Sequence, residues 1–208
     1  MGNQLDVLLV EHRPGVGARD VQTLEEAGHR VQRCHSAPWE DGERNRHDRH
    51  LCAALKEGTC PLDLGVDVAL LVRPRISPRP SIYEQGVTCA VRSGVPVVEA
   101  GPDALDPFAG VIDLRVEFDV VDACETASRE RYERIAEAIR KRIDLSGTAA
   151  TSSPEVEVGR DGDRLVVVVS GPDVEPLEVE AIVGSTLDAI GEVARGFAKV
   201  DVRYQATG

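Results

Sequence analysis

Val66-Asp67-Val68-Ala69-Leu70-Leu71-Val72, "VDVALLV", is the stretch that decides the fold. Successive side chains of a strand point to opposite faces of its sheet. An alternating pattern therefore marks a half-solvated strand, and a near-continuous apolar run marks one buried on both faces. "LDVLLV" (5–10) and "VPVVEA" (95–100) have the same character, while "HRVQRC" (29–34) and "VIDLRVEF" (111–118) read as further strands. Between them the apolar spacing turns helical. Val16, Val21, Leu24 and Ala27 follow Pro14, which a first helical turn tolerates, and Gly28 closes that segment. Leu51, Ala54 and Leu55 suggest a short helix ended by Gly58, and Ile82, Val87 and Val91 are the expected contacts of a helix over 81–92. Strands alternating with helices predict an α/β three-layer sandwich with a mostly parallel sheet, covering residues 1–145.

A helix over about 121–143 closes this domain, with Cys124, Tyr132, Ile135, Ile139 and Ile143 on one stripe. "SGTAATSSPE" (146–155) is small and polar and reads as a linker. Residues 156–208 then predict a small β-β-α-β domain. "VEV" and "RLVVVVS" flank the turn signal Asp161-Gly162. The helix over 177–194 places Val179, Ile182, Val183, Thr186, Leu187, Ile190 and Val193 on one side, and Val200, Val202 and Tyr204 alternate in the last strand. One helix cannot cover both faces of three strands, so this domain is expected to lean on the first one or to form a two-fold homodimer.

The chain has 208 residues, a formal net charge of −12 and only 3% aromatics. A nucleic-acid binder needs a basic face to neutralise phosphates, so the acidic balance argues against nucleic acid. From Glu155 onward, 11 acidic residues stand against 5 basic ones, which makes the small domain the more acidic part. No run approaches the roughly 18 apolar residues of a spanning helix, so no membrane insertion is expected. The opening "MGNQLD" lacks the basic and apolar regions of an export signal. With five irregularly spaced cysteines, this predicts reduced thiols and a cytoplasmic protein.

The junction "LVEHRPGVG" (9–17) holds the candidate binding residues Glu11, His12, Gly15 and Gly17. Its glycines follow a strand and open a helix, as in a dinucleotide-binding turn. The pattern is G-x-G-x-x-D, however, and Asp20 would repel a pyrophosphate at the helix N-terminus. The second strand ends in Cys34-His35, with no acid to receive a ribose. Cys34, His35, His47, His50, Cys52 and Cys60 carry sulfur and imidazole groups suited to zinc, but no C-x-x-C pair supports them, so neither metal nor cofactor is expected. Arg73, Arg75 and Arg79 interleave with prolines at the edge of the presumed pocket, where guanidinium groups suit an anionic partner. No nucleophile elbow, P-loop or HExxH occurs.

"VLLVEHRPGVGARDVQTLEEAGHRVQRC" resembles the opening of the receiver domains of bacterial response regulators. The resemblance implies a flavodoxin-like fold, with an acid pair at the end of the first strand holding a divalent cation beside a phosphorylatable Asp. Here Glu11-His12 takes the place of the pair, Val72 that of the Asp, and the fourth strand ends near Ala100 where Ser or Thr is expected. Valine accepts no phosphoryl group, and one carboxylate beside an imidazole suits Mg²⁺ poorly. The resemblance thus implies a degenerate receiver, a pseudo-receiver. It departs at the fourth and fifth apolar runs, which stand only about ten residues apart, too close for a comfortable helical crossover. "RLVVVVSGPDVEPLEVEAIVGSTLDAIGEVARGFAKVDVRY" resembles the alkaline-shock, envelope-stress family of Gram-positive bacteria, which implies a non-enzymatic, self-associating stress-response module. The expected function is a non-catalytic signalling or scaffold role through contacts with another protein. The alternative is a small-molecule or nucleotide-binding protein or enzyme using the pocket at the C-terminal ends of the strands.

Overall fold

The computed structural model describes residues 4–35, 52, 54–55, 58–74, 77–101, 107–147, 154–194 and 196–207. The chain divides into two compact units, Met1–Ser128 and Arg129–Gly208.

The first unit carries five strands: β1 (Asp6–Glu11), β2 (Arg30–Arg33), β3 (Val68–Val72), β4 (Val97–Ala100) and β5 (Leu114–Val116). All neighbours pair in parallel in the order β2-β1-β3-β4-β5, the flavodoxin-like order. Every residue of β1, β3 and β4 is buried, as their near-continuous apolar runs predict, and the acids Asp6, Glu11 and Glu99 are buried with them. Val7, Leu9, Leu70 and Val72 face one core with Leu24 of α1 (Ala18–Glu26) and with Val120, Ala123, Cys124 and Ala127 of α3 (Val120–Ser146). Leu8, Val10, Ala69 and Leu71 face the opposite core with Val87 and Ala90 of α2 (Gln85–Arg92). Helices therefore lie on both faces, giving the three layers expected.

Several boundaries differ from expectation. α1 starts at Ala18, not near Pro14, because the amides of Gly15 and Gly17 bond to the Glu11 carboxylate and Gly15 sits at φ 88°. The segment 81–92 opens with a 3-10 turn (Ile82–Glu84), and Ile82 and Val91 are exposed. Gly86 and Ala90 face inward beside Val87, since a Cβ at Gly86 would lie 2.8 Å from Cys34 Sγ and 2.9 Å from Val10 Cγ2. This close approach rotates the helix away from the expected face. The fifth strand shrinks to three residues, with only turns among the described residues between it and β4. Most of the short helix expected before Gly58 lies outside the described residues, although Gly58 N donates to Ala54 O and Gly58 adopts φ 77°.

In the second unit, β6 (Glu155–Asp161) and β7 (Arg164–Gly171) form an antiparallel hairpin. α4 (Pro176–Val193) then carries the chain to β8 (Lys199–Ala206), parallel to β7, in the order β6-β7-β8. This is the β-β-α-β unit expected. The boundary differs: the sequence places a linker at 146–155, whereas the compact units divide at Ser128/Arg129, inside α3. The reason lies in the α3 stripe. Cys124 packs in the core of the first unit, whereas Ile135, Ala136, Ile139 and Ile143 pack on Leu165, Val167 and Val169 together with Ile182, Ala189 and Ile190 of α4.

Three strands at about 4.8 Å spacing are wider than a single helix, and two helices side by side span them. The small sheet thus has one face under two helices of its own unit, where the sequence offered one. On α4 the buried line is narrower than the predicted stripe and leaves Leu187 and Val193 exposed. Thr186 sits inside this core with its hydroxyl donating to Ile182 O at 2.8 Å. The other face presents half-buried Val166 and Val168 among polar neighbours. Among the described residues, no helix is long and apolar enough to cross a membrane.

Candidate functional site

Parallel strands bring their C-terminal ends to one edge, the usual ligand position in open α/β sheets. Here that edge carries the ends of β1, β3 and β4. His12 N donates to Val72 O and Arg73 N to Ala100 O, both at 2.9 Å, extending the ladder past the strands. Arg73 and Gly101 lie so close that a Cβ at Gly101, where φ is 153°, would overlap Arg73 O.

Glu11 is 6% exposed, and both its oxygens are engaged. Gly15 N and Gly17 N donate to Oε1 at 2.9 Å each, and Arg33 Nη1 donates to Oε2 at 2.8 Å. Glycine-turn amides at a helix start are where a phosphate would settle in a nucleotide-binding protein. In this chain its own carboxylate occupies them. Gly17 also closes over β3: a Cβ there would meet Val72 Cγ2 at 3.1 Å, Leu9 Cδ1 at 3.2 Å and Glu11 Oε1 at 3.3 Å. The Val72 side chain is accordingly buried beneath the turn.

His12 and Arg73 converge on Glu84, which sequence reasoning missed. Glu84 is fully buried. Its Oε1 accepts from Arg73 Nε at 2.7 Å and lies 3.2 Å from His12 Nδ1. Its Oε2 accepts from Ser81 N at 2.5 Å, within a capping box that starts the 3-10 turn. Arg73, also buried, donates through Nη2 to Ser77 O at 2.8 Å and lies 3.7 Å from Glu99 Oε1 and 5.8 Å from the Phe108 ring centroid. Arg115 Nε donates to Glu99 Oε2 at 3.0 Å. Two signals for these acids stand in the sequence. Ser81-x-x-Glu84 has the capping-box spacing, and Glu99 is the lone acid in an apolar strand.

The expected residues thus fall into two groups. Glu11, Gly15 and Gly17 meet one another, and His12 and Arg73 meet through Glu84. Arg73 is not offered to an anionic partner as expected, because buried carboxylates already neutralise it. Arg79 is exposed, and Arg75 lies outside the described residues.

Of the zinc candidates, His47 and His50 lie outside the described residues. His35 and Cys52 form an isolated antiparallel bridge, and the His35 ring meets Tyr83 edge-on at 5.6 Å. Cys34 and Cys60 are half-buried against the core that α2 covers. Burial first, then the nearby Cys52, Cys89 and Cys60, pushes the Cys34 thiol up to about 12, so it stays protonated at neutral pH. Among the described residues, no three His, Cys, Asp or Glu side chains are grouped to hold a metal ion. No family model matches the chain, and no curated protein matches it.

Proposed function

We propose that this is a non-catalytic regulatory or scaffold protein that acts through protein contacts, its first unit a receiver-like domain without a phosphoacceptor. One observation carries the reading: Glu11 fills the glycine-turn amides with its own carboxylate while Val72 packs beneath that turn. An anion arriving there would have to displace a buried, triply bonded carboxylate. Beside it, the Arg73–Glu84 pair spends the guanidinium internally. These features weigh against the alternative of a nucleotide or small-molecule pocket at the strand ends. The self-association implied by the alkaline-shock resemblance belongs to the same reading and falls to the second unit.

The experiment has two arms. Incubation with a small phosphodonor and Mg²⁺ leaves the intact mass unchanged. A panel of nucleotides and flavins leaves the melting temperature unchanged, because only a ligand that prefers the native state raises it. A base-labile gain of one phosphoryl group, or a rise of several degrees with one ligand, would overturn the proposal.

A further inference from the structure

Sheet edges expose unpaired N–H and C=O groups and serve as templates for another strand. Among the described residues, four strands lie at edges: β2 has four residues, β5 three, β6 seven and β8 eight. Among the described residues, β8 pairs with β7 alone. Thr207 N donates to Gly171 O at 2.7 Å. A parallel ladder repeats every two residues, so Asp201, Arg203 and Gln205 also turn their backbone groups toward β7. Val200, Val202, Tyr204 and Ala206 then turn theirs outward. The same alternation sets side chains: Val200, Val202 and Tyr204 pack on the core, while Lys199, Asp201, Arg203 and Gln205 share the opposite face.

Two antiparallel copies of one strand pair residues equidistant from the two-fold axis, so charge selects the register. An axis through Asp201 sets aspartate against aspartate, and one through Arg203 sets arginine against arginine. An axis through Val202 places Asp201 opposite Arg203 of the second copy, twice, and Lys199 opposite Gln205. On the core face it sets Val200 opposite Tyr204 and Val202 opposite itself. Opposite charges and aromatic–β-branched pairs are the favourable cross-strand combinations. An axis through Val200 also pairs Lys199 with Asp201, but it leaves half of β8 unmatched. The Asp201–Arg203 ion pair within one strand, at 2.6 Å, would complete a square of alternating charges. β6 offers no such match. Every register against itself sets an acid of Glu155, Glu157 and Asp161 against another, or Arg160 against Arg160.

We propose that two copies of this chain associate through β8, joining their small sheets into one six-stranded sheet about a two-fold axis at Val202. The inference rests on the self-associating part of the proposed function and names its surface. The test uses the full chain, with sedimentation velocity over a wide concentration range. Wild type goes from one-chain to two-chain mass as concentration rises. D201R and R203D each weaken association roughly tenfold, by turning two favourable cross-strand pairs into like-charge pairs. D201R/R203D exchanges the signs, restores the alternation and recovers association. A wild type monomeric throughout, single variants that associate normally, or a folded double variant that fails to recover would each overturn the proposal. Should a single variant lose its circular dichroism, amide exchange on wild type decides. The Val202 and Tyr204 amides gain protection only at high concentration, and their continued exposure there overturns the proposal. A monomer still indifferent to phosphodonor and ligands would sink the β8 dimer and leave the non-catalytic reading standing.

Discussion

The strand-end edge of the first unit and the β8 edge of the second both carry alternating acids and bases, used in opposite ways. At the first, Glu84 and Glu99 are buried with Arg73 between them, and Glu11 is closed by two amides and Arg33. At the second, Lys199 and Arg203 are exposed and Asp201 is only partly covered. Charge in the interior must be neutralised within the chain, because desolvation makes an orphan costly. Charge on an exposed edge costs little to leave in water, so it is free to choose a partner. A similar alternation therefore stabilises one unit and, in the proposed dimer, selects the register of the other.

The largest expected effect breaks the interior set. Arg73→Ala leaves Glu84 and Glu99 buried without their shared cation, and should lower stability by about 3–5 kcal/mol. Urea unfolding followed by hydrogen exchange in β1 and β3 peptides reads the loss. If Arg73→Ala unfolds like wild type, the set is ornamental and the contrast with β8 collapses.

Glu11→Ala comes next. It leaves the Gly15 and Gly17 amides without their carboxylate, at about 1–3 kcal/mol. It also opens the glycine turn, so inorganic phosphate should raise the melting temperature of the variant and not of wild type. Equal responses would mean that the carboxylate never excluded an anion.

Alkaline pH sharpens the comparison further. All five cysteines lie in the first unit. Burial pushes Cys34 and Cys124 from 9.0 up to about 12 in the folded chain. Between those values the unfolded chain has released protons that the folded chain still holds. The stabilisation is therefore complete below pH 9 and lost as pH rises toward 12. Melting of the first unit should fall over that window, and less steeply in Cys124→Ala, while the second unit responds less. The smallest effect belongs to an exposed pair. Arg142→Ala, which removes contacts at 3.5 and 3.6 Å to Asp188 and Glu192, should change stability by under about 1 kcal/mol in the same urea assay.

The parallel sheet was legible because burial on both faces leaves a mark in every residue of a strand, as in Val68–Val72. The hairpin and α4 were legible because Asp161-Gly162 marks a turn and the spacing of Val179, Ile182, Thr186 and Ile190 marks a helix. Glu11, Gly15 and Gly17 could be grouped from proximity along the chain. Glu84 could not, since its meeting with His12 and Arg73 depends on where α2 docks, and Gly86 sets that by a close approach with no periodic signature. The α3 stripe was read correctly as a stripe. Which core each part of it serves depends on contacts formed far along the chain, and a helical period does not encode them.

Helix α3 has a consequence for the order of synthesis. Ile135, Ile139 and Ile143 emerge from the ribosome ahead of the sheet they cover, since β8 finishes at Ala206, roughly 60 residues beyond Ser146. At about 5–20 residues per second, that face waits for roughly 3–12 s without its partner strands. During those seconds the nascent chain shows three isoleucines to whatever is nearby, a chaperone or a neighbouring nascent chain. The helix that lies beside α4 on the finished small sheet is, during manufacture, an adhesive stripe waiting for its strands.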